Sequence, residues 1–230
     1  MSVLARFADE LIAEAPRLDA LRAPALAGAR DEDVLAAREA WAARVHDEQR
    51  SAVVFAELLS CLARAGAPFE ASAAIARLIG DELRHAELCA RMARAFGACD
   101  VVASGDALAL PPSDEAPLPR ALRIAVRELV VGEGESVAVL TAYRDAATDP
   151  ACRALLSSLL ADEARHFAVG RTLVPLLRAR LAADERARLD RELTEIALRD
   201  AEEIRAVHRA GATGGPGRCF GASIRPDEAP

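Results

Sequence analysis

Two short segments of the chain carry the same run of side chains that could bind a metal ion. Residues 81–85 read Asp-Glu-Leu-Arg-His, and residues 162–166 read Asp-Glu-Ala-Arg-His. A Glu and a His three positions apart lie on one face of a helix, so a carboxylate and an imidazole can reach the same ion. The other two histidines, His46 and His208, do not have a Glu at this spacing. The candidate metal ligands from these motifs are Glu82, His85, Glu163 and His166.

The repeat extends upstream of both motifs. Glu48 and Ser51 stand in the same register as Glu133 and Ser136, and each Glu precedes the next motif by a similar distance. The difference falls in the turn, which is longer in the first copy. Two copies of one helix–turn–helix unit would then supply four carboxylates and two imidazoles to one site. Glu128 lies near the same height as Glu133 and stays an alternative ligand, although it breaks the serine alignment.

Four carboxylates that share a buried site need cations. Without them the groups would repel one another and would be desolvated at great cost. Two divalent ions would neutralise the four charges, and bridging carboxylates would keep the ions close together. Mixed imidazole and carboxylate ligation suits iron or manganese, whereas a closed structural zinc site prefers thiolates. We therefore expect two divalent ions per chain, either iron or manganese.

The spacing of apolar residues predicts that long helices carry these ligands. The first helix runs from about Glu32, after Asp31 as N-cap, to Ala65. The second follows the turn at 66–68 and ends near Phe96, the third covers about Leu118–Ala147, and the fourth runs from Pro150 to about Leu181. Asp149 is the predicted cap of the fourth helix. The segment 98–119 contains Gly and several Pro residues and has no periodicity, so it indicates a crossover along the length of a bundle.

The predicted fold class is therefore all-α, with two helix hairpins joined by a long crossover. Hydrophobic residues make up 52% of the chain but aromatic residues only 3%, which favours helices packed through Ala, Leu and Val.

We expect one domain over residues 1–210, with the core bundle at about 32–182 and extra helices at both ends. The N-terminal helix ends at Pro16, and Asp184 caps a fifth helix that ends near Gly211. Residues 211–230 are predicted to form a flexible tail. Up-down bundles and helical repeats stay open on this pattern alone.

Composition argues against several classes of protein. The net charge is −7, every basic residue is Arg, and there is no basic tract, so a nucleic-acid partner is not expected. No apolar run is long enough to span a membrane. The five cysteines are scattered without a Cys-x-x-Cys pair, which argues against a zinc ribbon and a disulfide framework. We expect a cytoplasmic protein.

The ligand motifs, together with Glu48 and Glu133, resemble those of the ferritin-like di-iron superfamily. This group includes bacterioferritin, rubrerythrin, the ribonucleotide reductase small subunit and carboxylate-bridged oxygenases. The resemblance covers about Arg38 to Pro175. It implies a ferritin-like four-helix bundle, with Glu82 and Glu163 as bridging ligands and Glu48 and Glu133 as terminal ones. His85 and His166 would each bind one iron.

The resemblance also implies roles for the aspartates of the two motifs. Asp81 would hydrogen-bond the imidazole of His166, and Asp162 that of His85, which fixes the tautomer and the ring orientation. Arg84 and Arg165 are expected to be solvated or paired with surface carboxylates.

The function that the resemblance favours is activation of dioxygen to oxidise or oxygenate a small organic substrate, with a reductase as a further partner. Ferroxidase activity with iron storage, rubrerythrin-like peroxide reduction, and a non-enzymatic helical interaction module with a relic site are the alternatives. A full rubrerythrin carries a Cys-x-x-Cys module, and the tail has only Cys219. The oligomeric state stays open, and a dimer would be compatible with the sequence. Small residues near the site could leave an apolar substrate pocket: Ser51, Ala52, Ser136, Ala138 and Gly170.

Overall fold

A computed structural model describes residues 29–99, 108, 113–147 and 149–211 of the chain. The long elements in this part are helices, which confirms the all-α class. In chain order they are α1 (Asp31–Arg64), α2 (Phe69–Ala95), α3 (Pro117–Ile124), a π-helical segment (Ala125–Gly132), α4 (Glu133–Ala146), α5 (Pro150–Arg178) and α6 (Ala183–Gly211).

The ends of the helices follow local sequence signals. Gly66 and Gly97 have positive φ angles of 65° and 89°, a conformation that glycine adopts without steric cost, and they stop α1 and α2. Asp149 caps α5, because its carboxylate accepts hydrogen bonds from the amides of Ala151 and Cys152, each at 2.9 Å. The predicted turn at 66–68, the end of the second helix near Phe96 and the cap at Asp149 are therefore confirmed.

Two other predicted caps lie inside their helices. Arg30 is the N-cap residue of α1, and Asp31 is the first helical residue. Likewise α6 begins at Ala183, so Asp184 lies in its first turn. An acidic residue in the first turn also interacts favourably with the positive end of the helix dipole. Acidic residues are therefore common both at the cap and just after it, and the sequence does not distinguish the two positions.

Two apolar clusters occupy opposite ends of the fold. One combines the beginning of α1, the end of α2, the end of α4 and the beginning of α5. The other combines the end of α1, the beginning of α2, α3, the π-helical segment and the end of α5, with Leu189 and Leu193 of α6. The helices of each hairpin are therefore antiparallel. Since Phe96 lies in the first cluster and Ala121 in the second, the chain between them connects opposite ends.

Three predicted segments fall wholly or largely outside the described residues. They are the N-terminal helix, most of the crossover at 98–119 and the tail beyond Gly211. Among the helices that are described, none combines the length and the apolar character that crossing a membrane requires.

The third predicted helix is not a continuous α-helix. Residues 125–132 form a π-helical segment between α3 and α4, where the hydrogen bonds run from residue i to i+5 and the turn is wider. The segment packs closely on α5, where a Cβ atom on Gly170 would lie 2.6 Å from Leu129 Cβ and 2.9 Å from Leu129 backbone atoms. Gly170 thus fits the place where the widened turn touches the neighbouring helix.

Candidate metal centre

The six candidate ligands lie together in the middle of the fold, between the two apolar clusters. The two long helices of the first hairpin and the two of the second contribute them. All six side chains are buried, and Glu133, the most accessible of them, is only 6% exposed. The ligands are Glu48 of α1, Glu82 and His85 of α2, Glu133 at the start of α4, and Glu163 and His166 of α5.

Their ligand atoms form two groups that share one residue. In each group the atoms lie within 4.8 Å of one another. The first group contains Glu48, Glu82 and His85, and the second contains Glu82, Glu133, Glu163 and His166. Only Glu82 belongs to both groups, so it is the carboxylate placed to bridge two ions. The resemblance implied the same role for Glu163, which the structure places in one group.

Glu128, the alternative to Glu133, lies outside both groups. Its carboxylate accepts two hydrogen bonds from the guanidinium of Arg50, each at 3.2 Å. It stands at the edge of the cleft that leads to the ligands. The geometry therefore favours Glu133 as the ligand from this helix.

Both imidazoles turn the same nitrogen towards the carboxylates. Nδ1 of His166 lies 2.9 Å from Glu82, 3.3 Å from Glu163 and 3.6 Å from Glu133. Nδ1 of His85 lies 3.4 Å from Glu48. Neither Nδ1 has a well-oriented hydrogen-bond partner, nor do Oε1 of Glu82 and Oε2 of Glu163. Buried polar atoms without a partner are costly, and one cation in each of the two groups would satisfy all four of them.

The opposite nitrogen of each imidazole faces an aspartate from the other hairpin. Nε2 of His85 lies 3.0 Å from Asp162, and Nε2 of His166 lies 3.5 Å from Asp81. An imidazole that donates its Nε2 proton to a carboxylate leaves the Nδ1 lone pair for an ion. Both predicted aspartate–histidine pairs therefore lie in contact.

Arg84 joins the two aspartates, and the expectation that it is solvated is wrong. It is 2% exposed, and its Nη2 lies 2.7 Å from both Asp81 and Asp162. Arg165, its counterpart in the second motif, also contacts Asp162 but is 57% exposed. The reason is that two buried carboxylates from facing helices need a cation between them.

Arg44 is a part of the site that the sequence analysis did not identify. It donates from Nε to Glu48 and from Nη2 to Glu163 at 2.7 Å, and Nη2 lies 3.2 Å from Ser136 Oγ. Its side chain is 16% exposed. The sequence feature that could have identified Arg44 is its position four residues before Glu48, because this spacing places both side chains on one face of α1.

Burial and mutual repulsion shift the protonation of the cluster. Burial, reinforced by the charge of Glu48, raises the pKa of Glu82 to about 8. Burial and the charge of Glu163 also raise the pKa of Glu133. Burial lowers the pKa of His85, but its contacts with the carboxylates of Asp162 and Glu48 outweigh this effect and raise the pKa to about 10. Such a cluster holds protons at neutral pH, and a metal ion would displace them.

A cleft of about 170 Å³ leads from the ligands to the surface. Its lining is charged and polar, and besides Glu48, Glu82, Glu133 and Glu163 it includes Arg44, Arg50, Ser51 and Ser136. This cleft is therefore not the apolar pocket that the small residues suggested. Of the small residues named above, the two serines line the cleft, whereas the space beside Gly170 is filled by Leu129.

Models of known protein families, curated proteins and solved structures were compared with the chain, and none of them matches it. The residues and their geometry therefore carry the whole argument for the site.

Replacing Asp162 by Asn is expected to weaken metal binding more than replacing Asp81 by Asn. Asp162 makes the shorter contact to an imidazole, and residues that orient a metal-bound histidine typically contribute about 10–100-fold in affinity. Equilibrium titration with Zn²⁺ against a competing chelator would measure both variants. Equal affinities, or a larger loss in Asp81→Asn, would contradict the orienting role of Asp162.

Proposed function

We propose that the chain is a di-iron carboxylate protein with a ferritin-like four-helix bundle, which activates dioxygen to oxidise or oxygenate a small organic substrate. The observation that carries this proposal is the pair of ligand groups that share Glu82. Six residues form these two groups, one of three and one of four ligands with Glu82 in both. A structural zinc ion is usually held by four ligands, so the set is larger than a single ion needs.

The chemistry of the donors supports iron. Carboxylates and imidazoles suit iron and manganese, and no cysteine belongs to either group. A pair of ferrous ions held together would supply two electrons to dioxygen, which a single ferrous ion does not readily supply. Manganese fits the same donors and stays the alternative metal.

The side chains of the protein have separate tasks in this proposal. The four glutamates would neutralise the charge of the ions, with Glu82 as the ligand common to both groups. Nδ1 of each imidazole would be a further ligand, and Asp81 and Asp162 orient the rings from the Nε2 side. The ring of Phe55 packs edge-on against His166, with centroids 6.3 Å apart. This ring and the two apolar clusters on either side of the ligands would exclude water from the reacting centre.

Anaerobic iron loading followed by exposure to dioxygen would test the proposal. We expect the purified protein to bind about two ferrous ions per chain, to consume dioxygen, and to develop near-ultraviolet absorbance as iron is oxidised. Binding would stabilise the fold by RT ln(1 + [L]/Kd), about 4 kcal/mol for each ion at a thousandfold excess over Kd. Glu82→Gln serves as the negative control because it removes the shared ligand.

Three other outcomes would separate the alternatives. A storage protein would take up many irons per chain and elute as a large shell on a sizing column. A peroxidase would oxidise its iron much faster with hydrogen peroxide than with dioxygen. Binding of two irons without any oxygen-dependent change would overturn the redox proposal and leave a passive metal site.

A further inference from the structure

We infer that the cleft binds a small organic carboxylate, with the guanidinium of Arg44 as its anchor, once metal ions occupy the site. This inference rests on the proposed function and specifies the substrate class for it. The inference is based on the position of Arg44. This residue contacts two candidate ligands and Ser136, and it also lines the cleft.

The charge balance of the site changes when metal binds. In the structure Arg44 offsets the negative charge of Glu48 and Glu163. Two divalent ions would cancel the charges of all four glutamates, and the neutral imidazoles add none. Asp81 and Asp162 already have Arg84 between them, with Arg77 and Arg165 at their outer sides. Arg44 is then left as a mostly buried cation without a counter-charge, which is unfavourable unless an anion joins it.

The remaining charges of the cleft do not supply that anion. Glu128 is engaged by Arg50 through two hydrogen bonds, so this pair is neutral as a unit. Asp47 also lines the cleft, but its side chain is 66% exposed, and solvent screens an exposed charge effectively. A ligand with its own negative charge is therefore favoured over a neutral one.

Geometry and size narrow the ligand further. A guanidinium has five N–H donors in a planar fork. Nε and Nη2 of Arg44 already donate to Glu48 and Glu163, so its Nη1 is the donor that a ligand carboxylate would meet. Ser136 Oγ, 3.2 Å from Arg44, adds a hydroxyl beside that fork. The cleft, at about 170 Å³, is smaller than the roughly 300–1,000 Å³ of pockets for drug-sized ligands. A compact monocarboxylate would fit this description.

Binding of benzoate and of its neutral isostere benzamide to the Co²⁺-loaded protein would test the inference. Co²⁺ replaces iron without oxygen chemistry, and its visible bands report both metal stoichiometry and ligand binding. Because a hydrogen bond to a charged group is roughly twice as strong as one between neutral groups, benzoate should bind at least about tenfold tighter than benzamide. Arg44→Gln should weaken benzoate binding by about 10–100-fold and leave benzamide binding unchanged. Arg91→Gln, the same substitution at a surface pair with Glu87, should change neither.

The outcomes separate this inference from the proposed function. Failure to bind two Co²⁺ ions would overturn the metal site itself. Two bound ions, together with equal affinities for benzoate and benzamide, would overturn only the carboxylate inference. Benzoate binding that is unaffected by Arg44→Gln would overturn the role of Arg44, since the carboxylate would then be held by metal alone. If the Arg44→Gln protein does not bind metal, benzoate binding is measured with Arg44→Lys instead. This variant keeps the positive charge but loses the planar set of N–H donors, so it should bind benzoate more weakly than the wild type.

Discussion

Replacing Glu82 by Gln is expected to abolish binding of both metal ions. Glu82 is the only residue that belongs to both ligand groups of the described part of the chain, and an amide neither bridges two cations nor neutralises their charge. Removal of a residue that only orients a ligand costs about 10–100-fold in affinity, so the loss here should exceed that for each ion. Metal content after gel filtration, measured by elemental analysis, would show fewer than one ion per chain.

Glu128→Gln is the matched control for this experiment. It makes the same chemical change at the edge of the same cleft, on a residue that pairs with Arg50 and belongs to neither group. It should retain two ions. Retention of two ions by Glu82→Gln would show that the shared-ligand assignment is wrong, and loss of metal from Glu128→Gln would show that the ligand from this helix was misassigned.

After metal has been removed with a chelator, the difference in stability between Glu82→Gln and the wild type should depend on pH in a defined direction. Because the folded protein raises the pKa of Glu82 to about 8, ionising this carboxyl destabilises the wild type progressively between about pH 4.5 and pH 8. The neutral amide does not have this cost. Glu82→Gln should therefore match the wild type near pH 4 and exceed its free energy of unfolding at pH 8, which also shows that any loss of metal is not a loss of fold.

Replacing Gly170 by Ala is expected to destabilise the fold, although alanine is the better helix former. Intrinsic propensity alone would favour Ala by about 1 kcal/mol. The new Cβ, however, would lie 2.6 Å from Leu129 Cβ and 2.9 Å from the Leu129 backbone, which cannot turn away as a side chain can. Overpacking of this kind typically costs about 1–3 kcal/mol. Urea unfolding of the wild type and the variant would measure the net loss.

Gly134→Ala provides the control with the opposite expectation. Its Cβ would meet only the ring of Phe167, at 3.2 Å, and that ring is half-buried and can shift by a few tenths of an ångström. The variant should be as stable as the wild type or slightly more stable. Destabilisation of both variants to the same extent would indicate a general intolerance of the helices, and a stable Gly170→Ala would contradict the close approach of α5 and the π-helical segment.

Much of the arrangement could be predicted because it depends on local spacing. A Glu and a His three residues apart must share a helix face, and the duplicated motif identified both pairs. Glu48 and Glu133 were predicted from the register of the repeat, and the structure brings them to the same place. The turns at Gly66 and Gly97 follow from the freedom of glycine at positive φ. The Glu–His pairs and the turns are signals that span a few residues, whereas Glu48 and Glu133 were identified by aligning the two copies of the repeat.

The features that were missed depend on contacts between helices. The burial of Arg84 is decided by the distance between Asp81 and Asp162, which belong to different hairpins. Arg44 acquires its role only because Glu163 approaches from α5. The π-helical segment changes the spacing over only eight residues, too few for a change of period to be visible among the many alanines and valines. In each case the sequence gives the residue but not the residues from other helices that lie next to it in the fold.

The single buried guanidinium between Asp81 and Asp162 limits how far the internal duplication can be symmetric. Both copies of the motif carry an arginine at the same position, yet only Arg84 occupies the space between the aspartates, and Arg165 approaches the same two carboxylates from outside. A cation that lies between the two aspartates can be supplied by one half alone. Two identical hairpins would bring two arginines to a place that holds one, so the halves of this chain are not interchangeable building blocks.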